Sequence, residues 1–379
     1  MRKYFQSNQT DFKHIVERLL AQTDIQINGS APYDIQVHHP DFYQRVLQQG
    51  SLGLGESYMD GWWDCERLDI LFDKILRAKL DKKIPNNLED IVRIAIARLR
   101  NLQTKKRAWM VGEEHYDLGN DLFSRILDPY MQYSCAYWAK ADDLDQAQEH
   151  KLDLICRKLQ LKAGMKLLDI GCGWGGFAEY AAKKYQVSVT GITISKEQQK
   201  LAQARCKDLD VQILLEDYRN LNGQFDCIAS IGMFEHVGPK NYATYFDVVQ
   251  RNLKENGLFL LHTIGSNVNM VNADPWTTKY IFPNGCLPSI EQIGHYTSGQ
   301  LVMEDWHNLG ADYDRTLCAW YERFSKIWPE IQQNYNTRFQ RMFTYYLNSC
   351  AGAFRARDIQ LWQIVFSKNG IEGGTRVAR

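Results

Sequence analysis

No stretch of the 379-residue chain approaches the roughly 20 consecutive apolar residues that a helix needs to cross a bilayer. Any membrane role is therefore expected to be played from the surface. Net charge is also missing. Lysine plus arginine and aspartate plus glutamate each total 45, so no global field favours nucleic acid. Ordered cysteine spacing is absent. The nine cysteines (Cys65, Cys135, Cys156, Cys172, Cys206, Cys227, Cys286, Cys318 and Cys350) include no CxxC pair. That excludes a zinc-ribbon or disulfide framework, predicts no metal site and suits a reducing cytoplasm. Arg2 and Lys3 have no apolar run behind them, so no secretory signal is read. Internal repeats and low-complexity tracts are lacking as well.

The length suggests two domains. Residues 1–105 read as a small, mainly helical domain, with residues 106–379 separate from it. Phe12, Ile15, Val16, Leu19 and Leu20 recur at helical spacing between Asp11 and Ala21, and similar patterns run from Leu68 to Leu80 and from Leu88 to Leu102. Pro85-Asn86-Asn87 breaks the last two, and Gly50–Trp63 reads as turn-rich and aromatic. Charge is uneven here. Lys74, Arg77, Lys79, Lys82, Lys83, Arg93, Arg98, Arg100, Lys105, Lys106 and Arg107 face only Asp81, Glu89 and Asp90. This is either a solvated helix surface or a basic amphipathic face for anionic lipid.

From Met165 the pattern becomes α/β. Lys166–Ile170, Val187–Thr193, Gln212–Leu215, Cys227–Ile231 and Leu258–Thr263 read as strands alternating with helices. Such alternation predicts a Rossmann-like parallel sheet with helices on both faces. Between the first strand and its helix lies Asp169-Ile-Gly171-Cys-Gly173-Trp174-Gly175-Gly176, a turn where glycines admit a ligand close to the backbone. Gly171, Gly173 and Gly176 complete a GxGxxG, so a dinucleotide has to be considered. Asp169 argues against it, because a carboxylate at the mouth repels a pyrophosphate. The second strand also ends without the ribose-binding acid of that motif. A nucleoside carrying an ammonium and a sulfonium, such as S-adenosylmethionine, fits better.

Ligands in such sheets sit beyond the carboxyl ends of the strands, where strand order reverses. That gathers Gly171–Gly176, Thr193–Gln198, Asp217–Tyr218, Glu235–His236 and His262 around one crevice. Asp217 suits an adenine amino group and Gln198 a ribose. Glu235 and His262 are polar residues at the ends of apolar strands. Upstream, Glu113–Phe123 and Tyr130–Trp138 mix aromatic and polar residues as a lid over a cofactor would.

Seven ordered motifs carry a family resemblance. They are His115–Asp121, Tyr133–Tyr137, Leu168–Gly175, Gly191–Gln198, Ser230–Gly238, Lys279–Gly285 and Asp312–Trp320. The chain resembles the cyclopropane-fatty-acyl-phospholipid synthases and the related mycolic acid cyclopropane synthases. The resemblance implies a class I methyltransferase sheet; the added N-terminal domain is like that of the phospholipid enzymes. It implies methyl addition from S-adenosylmethionine to a cis double bond in a phospholipid acyl chain, giving a carbocation, then loss of a proton and ring closure. It assigns cofactor contacts to Tyr133, Ser134, Asp169, Gly171, Gly173, Trp174, Gly175, Thr193, Gln198, Asp217 and Tyr218. A proton-accepting bicarbonate would be held by Glu235, His262 and Tyr313, with backbone help at Cys135 and Ile264. Tyr116, Tyr137, Phe234 and Tyr313 are candidates to face the cation. The expected partners are unsaturated phospholipid acyl chains, an anionic membrane surface at the inner face of the cell membrane, and a second copy forming a homodimer. One departure stands out: Tyr218-Arg219 replaces the Trp-Glu of the mycolate branch. Rival readings are a fatty-acyl C-methyltransferase, methylation of a soluble amine or hydroxyl, and a lipid-binding protein without catalysis.

Overall fold

The computed structural model describes residues 12–80, 120–270, 274–374 and 378–379, which fall into two compact units. The first draws on residues up to 100, 272–283 and 317–359; the second on residues 101–271, 284–316 and 360–379. The division read from sequence, between 105 and 106, runs along the chain, whereas the first unit also gathers two later stretches.

The second unit is built on a seven-stranded sheet. Its strands are β1 (Lys166–Ile170), β2 (Ser188–Thr193), β3 (Val211–Leu215), β4 (Phe225–Ile231), β5 (Leu253–Ser266), β6 (Val302–Asn308) and β7 (Ile359–Ser367). The spatial order is β3-β2-β1-β4-β5-β7-β6. Strands β1 to β5 pair in parallel, and β6 runs antiparallel to β7. The five parallel strands are those expected, with ends shifted; β6 and β7 were not foreseen. Strand β6 reads Val-Met-Glu-Asp-Trp-His-Asn, too polar to announce itself, with Val302 and Met303 exposed at the sheet edge. Strand β7 is largely an apolar run, which periodicity alone does not distinguish from a buried helix.

Successive residues of each strand point to opposite faces, and both faces are buried. Leu167, Val189, Ile213 and Leu260 pack on one side with residues of α1 (Leu144–Lys158) and α2 (Gly176–Tyr185). Ala202 of α3 (Lys196–Arg205) joins them. Leu168, Ile170, Ile228 and Phe259 pack on the other side with Tyr245, Phe246 and Val249 of α4 (Tyr242–Asn252). Each such large apolar side chain contributes roughly 1.5–3 kcal/mol on full burial. Strand order reverses between β1 and β4, so the crevice lies beyond their carboxyl ends.

The first unit is mainly helical, over residues 12–20, Phe42–Met59, Leu68–Arg77, Pro275–Tyr280 and Thr337–Arg355. The Gly50–Trp63 stretch is not the turn-rich loop expected. Helix Phe42–Met59 runs through it with one kink at Gly50, whose φ is 57°. Packing overrides the low helix propensity of its glycines: a Cβ on Gly55 would stand 2.3 Å from the Trp276 indole. Glu56 is tied to Arg45, Lys279 and Tyr280, which hold its pKa down at about 2 despite the opposing effect of burial. The expected helix Leu88–Leu102 and the basic residues from Lys82 to Arg107 lie outside the described residues.

Candidate active site

The glycine turn after β1 has positive φ at Gly171 (83°), Gly173 (53°) and Gly175 (80°), a region that L-residues with side chains rarely adopt. Close approach reinforces the requirement, since a Cβ on Gly171 would lie 2.9 Å from the Met233 side chain. Asp169, the penultimate residue of β1, is buried, and its Oδ2 has no hydrogen-bond partner among the described residues. Burial pushes its pKa up to about 7, against the pull of the nearby Lys151 cation. Trp174 turns its indole N–H to Asn120 Oδ1 at 3.0 Å, and its ring lies 5.3 Å from Phe123, which also contacts Tyr133.

At the end of β2, Thr193 donates from Oγ1 to Gln198 Oε1 at 2.9 Å, and Ser195 caps the helix that carries Gln198. Both residues of this pair are buried. Asp217 follows β3, where Arg219 grips its carboxylate through Nε (2.8 Å) and Nη2 (2.6 Å). The departure noted at Tyr218-Arg219 therefore has a structural consequence: the Asp217 carboxylate is engaged within its own turn. Tyr218 packs edge-on against Tyr245 at 5.4 Å.

Tyr133, Ser134 and Cys135 lie in the irregular segment Tyr130–Trp138, which is fixed to α1. Lys151 Nζ, fully buried, donates to Gln132 Oε1 (2.6 Å) and Ser134 Oγ (3.0 Å). Gln148 Nε2 donates to the Ser134 carbonyl at 2.9 Å. Asp128 accepts from the amides of Tyr130 and Gln132. This described half of the expected lid is thus a pinned wall of the crevice. Cys135 is buried, its thiol donating to the Ala136 carbonyl at 3.2 Å, and burial raises its pKa well above the usual thiol value. Such a thiol is a poor nucleophile.

Glu235 sits in the short turn after β4. Its Oε1 accepts from the Ile264 amide at 2.7 Å, and its Oε2 has no partner among the described residues. Burial pushes its pKa up to about 7, only partly offset by that amide. The Ile264 N–H, at a position where backbone help for an anion is expected, holds this carboxylate. His262 on β5 is opposite Ile231 of β4 and fully buried. Its Nδ1 is 3.2 Å from Gln363 Nε2, and its Nε2 has no partner among the described residues. Burial, aided by Lys151 and Lys158, drives its pKa well below the usual histidine value. Tyr313 lies near the start of the helix that begins at Gly310 and is buried.

One of the aromatic candidates is a core residue, and another has a histidine beside it. Phe234 is stacked on Tyr242 at 4.5 Å and meets Tyr245 edge-on at 4.8 Å, so it belongs to the core. Tyr137 packs against His307 at 6.0 Å. Tyr116 lies outside the described residues, as does most of Glu113–Phe123. Sequence reasoning missed Lys151, Gln148 and Gln363. A signal existed for each: Gln148 and Lys151 share the buried stripe of α1 with Leu144, Ala147, Leu152 and Ile155, and Gln363 is a lone polar residue inside Leu361–Phe366.

The sequence profile of the mycolic acid cyclopropane synthetase family matches residues 103–364. The cyclopropane-fatty-acyl-phospholipid synthase of Escherichia coli strain K12 is 69% identical over 365 residues, 96% of this chain and 95% of its own length. A probable fatty acid methyltransferase of Pseudomonas putida is 40% identical over 276 residues, covering 68% of this chain and 69% of its own. Among solved structures, the cyclopropane synthase MmaA2 of Mycobacterium tuberculosis superposes with a TM-score of 0.64 at 32% identity, covering 69% of this chain and 98% of its own. The mycolic acid cyclopropane synthase CmaA1, solved with SAH and CTAB, gives the same TM-score, identity and coverage. The sheet is that of the class I methyltransferases, and the chain belongs to the mycolic acid cyclopropane synthetase family.

Proposed function

We propose that the chain is an S-adenosylmethionine-dependent cyclopropane-fatty-acyl-phospholipid synthase, acting on the cis double bond of unsaturated acyl chains in membrane phospholipids. The observation that carries this reading is the pair of buried groups at the crevice, Glu235 and His262, each with an unengaged polar atom among the described residues. Methyl transfer alone calls for alignment and water exclusion. A place to receive a proton becomes necessary when the reaction ends in ring closure. The identity of 69% across 96% of the chain supports the same substrate class.

The residues fit a cationic nucleoside. The buried Asp169 oxygen suits positive charge, the positive-φ glycines let the backbone approach, and Thr193 with Gln198 offers polar contacts. Tyr133, Ser134 and Trp174 complete the wall, and Asp217 with Tyr218 flanks the adenine end. When bound, S-adenosylmethionine supplies an electrophilic methyl group. The residues also fit bicarbonate, which has both a hydroxyl and a charged oxygen: Glu235 Oε2 is an acceptor for the first, and His262 with Tyr313 provides polar contacts for the second. Bicarbonate, when bound, supplies the base for the departing proton. Glu235, steadied by the Ile264 amide, orients that base. Burial of the whole set keeps water from trapping the substrate cation.

The reading extends to residues 1–105 as a lipid-binding domain and 106–379 as the catalytic one, to peripheral association with the inner face of the cell membrane, and to a homodimer. Family resemblance supports the homodimer. Local basic charge supports the membrane surface, and no described helix is long and apolar enough to cross a membrane. Neutralising Lys82, Lys83, Arg98 and Arg100 together is expected to weaken sedimentation with anionic vesicles, in a salt-dependent way. Unchanged sedimentation removes the membrane assignment of that segment.

The decisive experiment is mass spectrometry and NMR of unsaturated phospholipid vesicles incubated with the protein and S-adenosylmethionine. A gain of one CH2 with loss of the alkene and appearance of ring protons is expected. The same gain with an alkene retained would make the chain a fatty-acyl C-methyltransferase. Cofactor binding with no lipid change would overturn both.

A further inference from the structure

We propose that Gln363 is a positioning residue that fixes the tautomer of His262, so that the imidazole presents Nε2–H into the crevice as a hydrogen-bond donor. The inference deepens, and rests on, the reading of Glu235 and His262 as the proton-receiving site.

Gln363 Nε2 lies 3.2 Å from His262 Nδ1, and both side chains are fully buried. Their strands, β7 and β5, are neighbours in the sheet, so strand pairing rather than a loop sets the contact. Around Gln363, the residues Leu361, Trp362, Ile364, Val365 and Phe366 are all buried and apolar. An amide can face a ring nitrogen through its NH2 or through its oxygen. Here the second arrangement would engage neither of the two N–H donors with the ring, whereas the first engages one of them there and leaves one carbonyl oxygen, Gln363 Oε1, without a partner among the described residues. A buried donor left unpaired is the rarer and costlier defect. The NH2 therefore donates to Nδ1. A ring nitrogen that accepts carries no hydrogen, so the single hydrogen of the neutral ring is on Nε2. The depressed pKa of His262 agrees with a neutral ring.

The consequence is chemical complementarity. His262 Nε2–H offers a donor, and Glu235 Oε2 offers an acceptor. An anion with one charged oxygen and one hydroxyl matches that pair, and the opposite tautomer would set a lone pair against the charged oxygen instead.

The test is a long-range proton–nitrogen correlation spectrum of the full chain labelled with 15N-histidine. The His262 resonances are assigned by their loss in His262→Gln. In the wild type, Nδ1 is expected to be pyridine-like and Nε2 pyrrole-like. In Gln363→Met, which keeps the volume but removes the donor, that pattern is lost. Turnover then falls roughly tenfold or more, while the dissociation constant for S-adenosylmethionine stays within about twofold. A wild-type spectrum with Nδ1 protonated overturns the proposal without a variant, so misfolding of Gln363→Met does not shield it. The pyridine-like Nδ1 in a protein that leaves lipid alkenes untouched would retain the tautomer assignment and overturn the synthase reading. Cyclopropanation with Nδ1 protonated would do the reverse.

Discussion

Replacing Glu235 with Gln is expected to make the protein more stable while disabling it, and the structure sets the size and pH dependence of the gain. The carboxyl accepts from the Ile264 amide and is 8% exposed, and burial lifts its pKa from 4.5 to about 7. Between those values the folded protein holds a proton that the unfolded chain has released, so stability falls as pH rises through the window. At about 1.4 kcal/mol per pH unit, the ionised form above pH 7 carries a penalty of roughly 3 kcal/mol. Glutamine has the same size, can still accept from Ile264, and does not ionise. The variant should therefore exceed the wild type by roughly 3 kcal/mol at pH 8 and by under roughly 1 kcal/mol at pH 5. Chemical denaturation at both pH values reads the difference, and groups common to both proteins, Asp169 among them, cancel. Turnover should collapse, while calorimetry finds cofactor affinity little changed. Equal stability differences at the two pH values, or a wild type that is the more stable at pH 8, would refute the reasoning. Loss of cofactor affinity in step with turnover would move Glu235 from the proton site to the cofactor site.

Lys151→Met removes the donor to Gln132 and Ser134 and the cation that opposes the raised pKa of Asp169. Asp169 should then be protonated at pH 7, weakening S-adenosylmethionine binding about tenfold or more, near 1.4 kcal/mol, with recovery as pH rises toward 9. Calorimetric affinity that matches the wild type at pH 7 would remove Lys151 from the cofactor site. Gly176→Ala puts a Cβ 1.8 Å from the Tyr130 carbonyl oxygen, which cannot move without the pinned segment, so a loss of about 1–3 kcal/mol and weaker cofactor binding are expected. Gly294→Ala lies in helix Ile290–Thr297 with nothing within 4 Å of the new Cβ, and should stabilise by about 0.5–1 kcal/mol in the same denaturation assay. Equal destabilisation by both alanines would show that close approach is not what requires glycine at 176.

What the sequence disclosed depended on whether a residue's neighbours along the chain were enough to define its environment. Strands β1 to β5 were legible because each is a short apolar run between helix patterns, and Asp169 and His262 stood out as polar residues near the ends of such runs. Strand β6 was not legible, since its half-exposed edge position needs no apolar alternation. Helix Phe42–Met59 was misread because Gly53 and Gly55 look like turn residues; for Gly55 the reason lies with Trp276, more than two hundred positions later, which occupies the space a Cβ would take. The same distance problem hid the first unit's later segments, such as helix Thr337–Arg355.

The site divides along the same line. Residues that offer an unengaged atom to the crevice were found, because a polar group at the end of a buried strand is anomalous on its own. Residues that hold them were not, because Lys151 and Gln363 acquire meaning only through Ser134 and His262, the latter 101 positions from its partner. Their burial is costly on its own terms. A buried lysine and a buried glutamine in an apolar strand each lower stability unless a partner is fixed beside them. Both have such a partner, and in both cases that partner is a residue expected to face the cofactor or the proton. A polar residue inside an apolar stripe, paired with a site residue, is therefore better explained as part of the site than as part of the core, and alanine scanning confined to crevice-facing side chains would miss it.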